Sequence, residues 1–179
     1  MLKGIEINGK GVKEKPSVIY DTCLKDEINL DKPAVVYNGK EFMMWYCCFN
    51  GNNWNIHHAT SDNGKVWAEH GPAIKVKDIN DDVLCDVFTP FVMFDGKMYR
   101  MWFVSFDGSH TRLFYTTSLD GKTWGNHSVL SVLNHDIDMD NIVISTPTVI
   151  EYKGNYRIWL TVSFGVDSKI YCFEQLKLD

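Results

Sequence analysis

The sequence predicts an all-β protein made of repeated four-stranded antiparallel sheets. The first observation is a hairpin signal, because Asp95-Gly96-Lys97 separates two runs of β-favouring residues and glycine supplies the positive φ of a tight turn. The second is the run Met-Trp-Phe-Val at 101–104, which does not alternate apolar with polar residues. A strand of this kind is covered on both faces, as happens when sheets stack on one another.

The third observation is an internal repeat of 57 residues (90 − 33 and 147 − 90). One proline and one tryptophan of each copy keep this spacing, namely Pro33, Pro90 and Pro147 with Trp45, Trp102 and Trp159. Four-stranded units that repeat at about this length are typical of β-propeller blades, which stack face to face around an axis. A β-sandwich is the alternative, and the strict period disfavours it.

Each copy predicts its strands in order. The first strand starts at the proline, the second passes through the tryptophan, the third ends at Ser61 or Ser118, and the fourth is a short outer strand. The predicted outer strands are Ala73–Val76 and Ser128–Leu133. We therefore expect one propeller-like domain over residues 1–179 with three blades, at about 33–76, 90–133 and 147–176.

Composition excludes several classes of function. The chain has 179 residues, and 45% hydrophobic with 13% aromatic residues suffice for a sizeable core. It holds 18 basic and 23 acidic residues without a Lys/Arg cluster, so we expect no nucleic-acid partner. No apolar stretch approaches a membrane-spanning length, so we expect no membrane partner.

Cysteine usage indicates the compartment. The five cysteines are odd in number and include no C-x-x-C pair that would suit zinc. Reduced thiols in a cytoplasmic protein without a cofactor are the expectation.

The repeat motifs resemble the five-bladed propellers of carbohydrate-active enzymes. These include arabinanase- and xylosidase-type glycosidases of family 43, invertase-type glycosidases and β-mannoside phosphorylases. The second copy carries the resemblance with Pro90, Val92, Gly96, Tyr99, Met101, Trp102, Thr117, Ser118, Asp120, Gly121 and Trp124. The resemblance implies a propeller fold and a function on carbohydrates.

Glycosidic cleavage needs a pair of carboxylates, one acting as acid and the other as base or nucleophile. In the resembling families an Asp typically stands directly before the proline of the innermost strand, whereas Lys32, Thr89 and Thr146 stand there in this chain. Asp31 and Asp86 are the nearest acids, and they are therefore the candidate catalytic residues.

Acidic residues recur in the three connections that lead into the innermost strands. They are Asp21, Asp26, Glu27 and Asp31, then Asp78, Asp81, Asp82 and Asp86, then Asp136, Asp138 and Asp140. One end of the molecule is thus expected to form a polar funnel for a hydroxyl-rich ligand or a cation. The last three acids have the spacing that opens an EF-hand, but the glycine is missing and Pro147 takes the glutamate position, so no metal site is predicted.

The loops between second and third strands should lie at the same end. Sugar sites combine an aromatic platform with polar hydrogen-bonding groups. The predicted ligand-binding residues are Asn53, Trp54, His110, Arg112, Asp138 and Asp140. His57 and His58 are neighbours in a strand, so we expect them to point to opposite faces and to pack.

Three functions stay open: a glycoside hydrolase-like enzyme that uses Asp31 and Asp86, a non-catalytic carbohydrate-binding propeller, and a structural assembly module.

Assembly of two chains is expected because closed propellers have about 4–8 blades. Ser17–Tyr20 precedes Ile74–Lys77 by 57 residues (74 − 17) and predicts a spare outer strand, which the third copy lacks before Asp179. A homodimer that exchanges this strand would form a six-bladed ring. The alternative is a fragment of a five-bladed protein, although Met1 is a plausible initiator.

Overall fold

The computed structural model describes residues 29–75, 86–125, 127–130 and 142–176. These residues form eleven strands and no helix, so none that could span a membrane is found among them. The strands are β1 (Asn29–Tyr37), β2 (Phe42–Phe49), β3 (Trp54–Ser61), β4 (Ala68–Ile74), β5 (Asp86–Phe94), β6 (Tyr99–Phe106), β7 (Thr111–Ser118), β8 (Ser128–Leu130), β9 (Ile142–Tyr152), β10 (Asn155–Phe164) and β11 (Asp167–Leu176).

The strands pair as three antiparallel sheets in which neighbours along the chain are neighbours in space. The first sheet has the order β1-β2-β3-β4, the second β5-β6-β7-β8, and the third β9-β10-β11. The all-β prediction with antiparallel propeller-type sheets is confirmed, and the third sheet contains three strands in the described part of the chain. The predicted spare strand Ser17–Tyr20 lies outside the described residues.

The innermost strands begin earlier than predicted. β1, β5 and β9 start at Asn29, Asp86 and Ile142, because backbone pairing continues past the prolines and a register shift absorbs the proline in each strand. A β-bulge keeps a strand paired on both sides of an irregular residue. Asp31 and Asp86 therefore lie within strands, and the prediction that placed them in connecting loops is wrong.

The outer strands also differ from the prediction. β4 begins at Ala68 rather than Ala73. Two register shifts against β3, around Gly71 and Pro72, interrupt the alternation of residues, so the sequence did not reveal the first part of this strand. β8 covers Ser128–Leu130, and the rest of its predicted range lies outside the described residues.

The core lies between the sheets. Met101 and Phe103 of β6 pack with Met43 and Trp45 of the first sheet. Trp102 and its neighbour Val104 pack against the third sheet instead. The unbroken apolar run of β6 is thus explained by burial on both faces.

The outer face of the third sheet is not covered in this way. β10 alternates buried residues facing the second sheet with half-buried residues on the other side. That outer face exposes five large apolar side chains of β9 and β11, namely Val143, Ile150, Tyr152, Ile170 and Leu176. On the first sheet, Val35 and Tyr37 are also exposed, on the face turned away from the second sheet.

The sheets have two distinct ends. We call the end with the tight β1–β2, β3–β4, β5–β6 and β7–β8 turns the turn end. We call the opposite end, with the β2–β3 and β6–β7 loops and the starts of β1, β5 and β9, the loop end. At the turn end, Trp45 Nε1 donates a hydrogen bond to the carbonyl of Gly121 at 3.0 Å, which joins the first two sheets.

Candidate functional site

A pocket of about 260 Å³ lies at the loop end, between the first and second sheets. Its lining residues are Asp31, Lys32, Cys47, Trp54, Asp86 and Phe88. The structure therefore brings together both predicted catalytic carboxylates and the predicted aromatic platform, Trp54.

The bulges in β1 and β5 shape this pocket. Lys32 has φ 50° and Thr89 has φ 55°, and both residues lie where the strand register shifts. A non-glycine residue at positive φ costs about 1–3 kcal/mol, and such residues cluster at functional sites. In β1 the turned backbone of Lys32 donates its N–H to Asp31 Oδ1 at 2.8 Å, which orients that carboxylate.

Asp86 links the two sheets across the pocket. Its Oδ1 accepts a hydrogen bond from the backbone N–H of Trp54 at 2.9 Å. This contact holds the start of β3 against the start of β5, so the half-buried Asp86 fixes the position of the aromatic residue as well as lining the pocket. The indole of Trp54 is further supported by Phe49, at 5.3 Å between ring centroids.

Lys32 supplies positive charge at the pocket. Its Nζ is 3.9 Å from Asp31 Oδ2 and 5.8 Å from the centroid of the Phe88 ring. Both partners of the ion pair are substantially exposed, since 41% of the Lys32 side chain and 55% of the Asp31 side chain are accessible. An exposed pair of this kind is weak, so both groups are available to a ligand.

Cys47 forms the floor of the pocket and is not suited to nucleophilic chemistry. Burial raises the pKa of its thiol to about 12, which keeps the thiol protonated. The backbone N–H of Thr89 donates to Cys47 Sγ at 3.1 Å. The thiol therefore serves as a small buried contact for the bulge of β5.

The remaining predicted ligand residues are placed elsewhere. Asn53 caps the β2–β3 loop, where its backbone N–H donates to Asn50 Oδ1 at 2.9 Å. His110 and Arg112 lie at the loop end of the second sheet around Asp107, and neither lines the pocket. Their prediction as ligand-binding residues stays untested, and the predicted ligand-binding residues Asp138 and Asp140 lie outside the described residues.

Asp107 organises the β6–β7 loop electrostatically. Burial acts to raise the pKa of its carboxyl, but hydrogen bonds from the N–H groups of His110 and Ser109 and from the Arg112 guanidinium outweigh burial and lower the pKa to about 2. The carboxylate is thus charged at all physiological pH values and holds Arg112 in place.

Three pocket residues were missed by sequence reasoning. Cys47 and Phe88 gave no signal, because a thiol and a phenyl ring inside strands look like ordinary core residues. Lys32 did carry a signal, since it occupies the position before the proline where the resembling families place an Asp. Within the described ranges, no group of three His, Cys, Asp or Glu residues is arranged to hold a metal ion.

Comparison with known proteins identifies the fold. No protein-family model matches the chain, and no curated protein matches it. Solved structures do match. A family 117 glycoside hydrolase from the marine bacterium Zobellia galactanivorans superposes with a TM-score of 0.65 at 17% identity, over 87% of this chain and 55% of the hydrolase.

Two further matches come from other glycoside hydrolase families. The Bombyx mori family 32 β-fructofuranosidase has a TM-score of 0.67 at 14% identity, over 86% of this chain and 35% of that enzyme. A family-43 thermostable glycoside hydrolase has a TM-score of 0.61 at 16% identity, over 84% of this chain and 51% of that enzyme.

The chain has the propeller-type fold of glycoside hydrolases. It spans about half the length of the family 117 and family 43 proteins and about a third of the family 32 enzyme. The resemblance inferred from the repeat motifs is confirmed at the level of this fold, and the matches do not single out one glycoside hydrolase family.

Proposed function

We propose that this chain is a carbohydrate-active module that acts on a sugar or oligosaccharide at the pocket between the first and second sheets. The observation that carries the proposal is the convergence of Asp31, Asp86 and Trp54 on one pocket from three different strands. The solved glycoside hydrolases that share the fold support the carbohydrate class of ligand.

The lining residues suit a sugar ring. Trp54 and Phe88 offer aromatic surface to the apolar face of a pyranose or furanose, while the carboxylates of Asp31 and Asp86 accept hydrogen bonds from its hydroxyl groups. In a cleavage reaction one carboxyl group would protonate the leaving glycosidic oxygen, and the other would act as base or nucleophile. The predicted enzyme is of the glycosidase or phosphorylase type.

A non-catalytic carbohydrate-binding module is the second candidate. It is favoured by the hydrogen bond that commits Asp86 Oδ1 to the backbone of Trp54. It is also favoured by the replacement of the strand-start Asp by Lys32, Thr89 and Thr146. A structural assembly module is the third candidate, and it needs no ligand in the pocket.

A panel of oligosaccharides and aryl glycosides separates these functions. The enzyme proposal expects turnover that Asp86→Asn and Asp31→Asn each lower by about 100-fold or more, with the melting temperature unchanged. Saturable binding without turnover selects the binding module. Asparagine keeps an Oδ1 acceptor for the N–H of Trp54, so Asp86→Asn removes the carboxylate charge without removing the link between the two sheets.

We further propose that the chain forms one propeller-like domain and associates as a homodimer. Two copies would give six sheets, a number within the range of closed propellers. The exposed apolar faces of the first and third sheets support this assembly. The exchange of Ser17–Tyr20 between copies is part of the proposal and concerns residues outside the described ranges.

A reducing, cytoplasmic location belongs to the same proposal. Cys47 and Cys172 are free thiols in the structure. Free thiols are the usual state of cysteines in the cytoplasm. Fractionation of cells that express the tagged chain tests this location.

A further inference from the structure

Successive sheets are joined by a tryptophan of the second strand, whose indole N–H donates a hydrogen bond to the next sheet. Trp45 Nε1 donates to the carbonyl of Gly121 at 3.0 Å, and Trp102 Nε1 donates to Gln175 Oε1 at 2.8 Å. Both indoles are completely buried. Trp159 holds the same place in β10, 57 residues after Trp102 (159 − 102), but it is only half-buried and lies on the exposed outer face of the third sheet.

The turn between the third and fourth strands of the second sheet receives Trp45, whereas a side chain of β11 receives Trp102. In the second sheet Trp124 meets Trp45 edge-on, with 5.8 Å between ring centroids. A Cβ on Gly121 would lie 3.0 Å from Trp45 Cζ2, so only glycine lets the indole approach this closely.

The first sheet has the same turn 57 residues earlier (121 − 64), with Gly64 and Trp67 at the matching positions. A groove of about 510 Å³ runs along this turn, lined by Thr60, Ser61, Asp62, Asn63, Val66, Trp67 and Ala68. Near Gly64 the atoms within 4 Å of an added Cβ belong to Phe42 of the same sheet, at 3.7 Å. The described residues thus leave one tryptophan only half-buried at one end of the stack and one receiving turn open at the other.

We propose that Trp159 of one copy docks into the β3–β4 turn groove of a second copy of this chain, with its Nε1–H donating to the carbonyl of Gly64 and its ring edge-on to Trp67. The inference rests on the proposed homodimer and names the contact that would hold it together. A twofold axis repeats the contact twice and closes the ring of six sheets.

A second copy fits these surfaces better than an unrelated protein. The half-buried Trp159 and the open groove correspond to the two sides of the contact that Trp45 makes between the first two sheets. Apolar surface is matched as well, since Ile150 and Ile170 are exposed beside Trp159 and Val35 is exposed on the receiving sheet.

Light scattering and sedimentation of the full chain test the contact. Wild type is expected to be a dimer at micromolar concentration. Trp159→Ala and Val66→Glu, which remove the indole and block the groove, should each raise the dimer dissociation constant by about 30-fold or more. Leu119→Ala is the control, because Leu119 is 77% exposed on the second sheet and should leave the dissociation constant unchanged.

Mixing the two variants separates a lost contact from a damaged fold. In the mixed dimer, Trp159 of the Val66→Glu copy can still dock into the groove of the Trp159→Ala copy. One of the two contacts is therefore intact, and the mixed dimer should have a lower dissociation constant than the homodimer of either variant. A mixture that is no tighter overturns the reciprocal arrangement. A monomeric wild type overturns the homodimer and the contact together, whereas a dimer indifferent to Trp159→Ala overturns the contact alone. Sugar binding is measured separately, and it tests the proposed function of the pocket whatever the oligomeric state.

Discussion

The turn end and the loop end of the first two sheets are built from the same strands but hold their backbones differently. At the turn end, sharp φ values fall on glycine, as at Gly121, and side-chain oxygens such as Asp95 Oδ1 accept hydrogen bonds from the turn backbone. The loops of the loop end are built similarly, with Gly51 and Gly108, but at that end Lys32 and Thr89 also carry positive φ without being glycine. The turn end is thus arranged for stability, whereas the loop end keeps strained backbone beside its pocket, as functional sites commonly do.

The largest effect expected from this difference is in tryptophan truncation. Trp102→Ala should lower the free energy of unfolding by about 3–5 kcal/mol, because the buried strand around it collapses only partly into the cavity. Trp54→Ala at the loop end should lower it clearly less, since Trp54 is half-buried, yet it should weaken ligand binding. Urea titration compares the two variants, and the reverse order of stability would show that the ends have been given the wrong roles.

Acid should weaken the packing beside the turn end. Burial lowers the pKa of His58 to about 4, and the positive charge of the nearby His70 and Lys122 lowers it further, against the opposing effect of Asp120. A histidine with a depressed folded-state pKa stabilises the fold fully above its unfolded pKa, about 6.5, and the stability is lost as pH falls from there to about 4. We expect a loss of up to about 3 kcal/mol across this window.

The variant His58→Phe isolates this contribution. It keeps an aromatic ring against Trp45, which lies 5.5 Å from His58 between ring centroids, and it removes the titrating group. Denaturant titrations measure the free energy of unfolding at pH 7 and pH 4.5. The difference between the two pH values should be smaller for the variant than for wild type. An equal pH dependence in both proteins would assign acid sensitivity to other residues.

Two glycines in equivalent turns sharpen the comparison further. Gly121→Ala should destabilise by about 2–3 kcal/mol, because alanine is strained at φ 72° and its Cβ would lie 2.7 Å from Met43 Cε and 3.0 Å from Trp45 Cζ2. Gly64→Ala has nearly the same φ, 71°, but ordinary contact with Phe42, so about 1 kcal/mol is expected. Thermal unfolding of both variants measures the difference. Equal losses of stability would mean that the Trp45 indole moves to make room for the new methyl group.

The smallest effect should come from relieving backbone strain at the loop end. Lys32→Gly should raise the free energy of unfolding by up to about 1 kcal/mol, because glycine accepts φ 50° without steric cost and this outweighs its greater freedom in the unfolded chain. Lys40→Gly, at an exposed turn position, is the control and should give no gain. A clear loss of stability in Lys32→Gly would show that the side chain supports the pocket more than its backbone strains it.

The sequence revealed most of the fold because the relevant signals are local and repeated. Three signals could be read directly along the chain. They are the Asp-Gly turn, the 57-residue repeat that includes Pro90 and Trp102, and the apolar run of β6 that is buried on both faces. His57 and His58 are buried on opposite faces of β3 as expected, against Tyr46 and Trp45 respectively.

The candidate site was harder to predict from the sequence than the fold. Asp31, Asp86 and Trp54 were identified, but the bulges that place them inside strands arise from pairing with distant strands and leave no local pattern. The pocket also depends on which sheets pack together, so Phe88 and Cys47 could be recognised only from the packed structure.

The sequential strand order of the three sheets has a consequence for how the chain acquires its structure. Within each sheet every strand pairs with its neighbour along the chain, so most backbone pairing joins segments close in sequence, and closing such short loops costs little chain entropy. Repeated units of this kind form and open as nearly separate cooperative blocks coupled through their shared faces. The middle sheet gains from both neighbours, and its amide hydrogens should be the last to exchange with solvent.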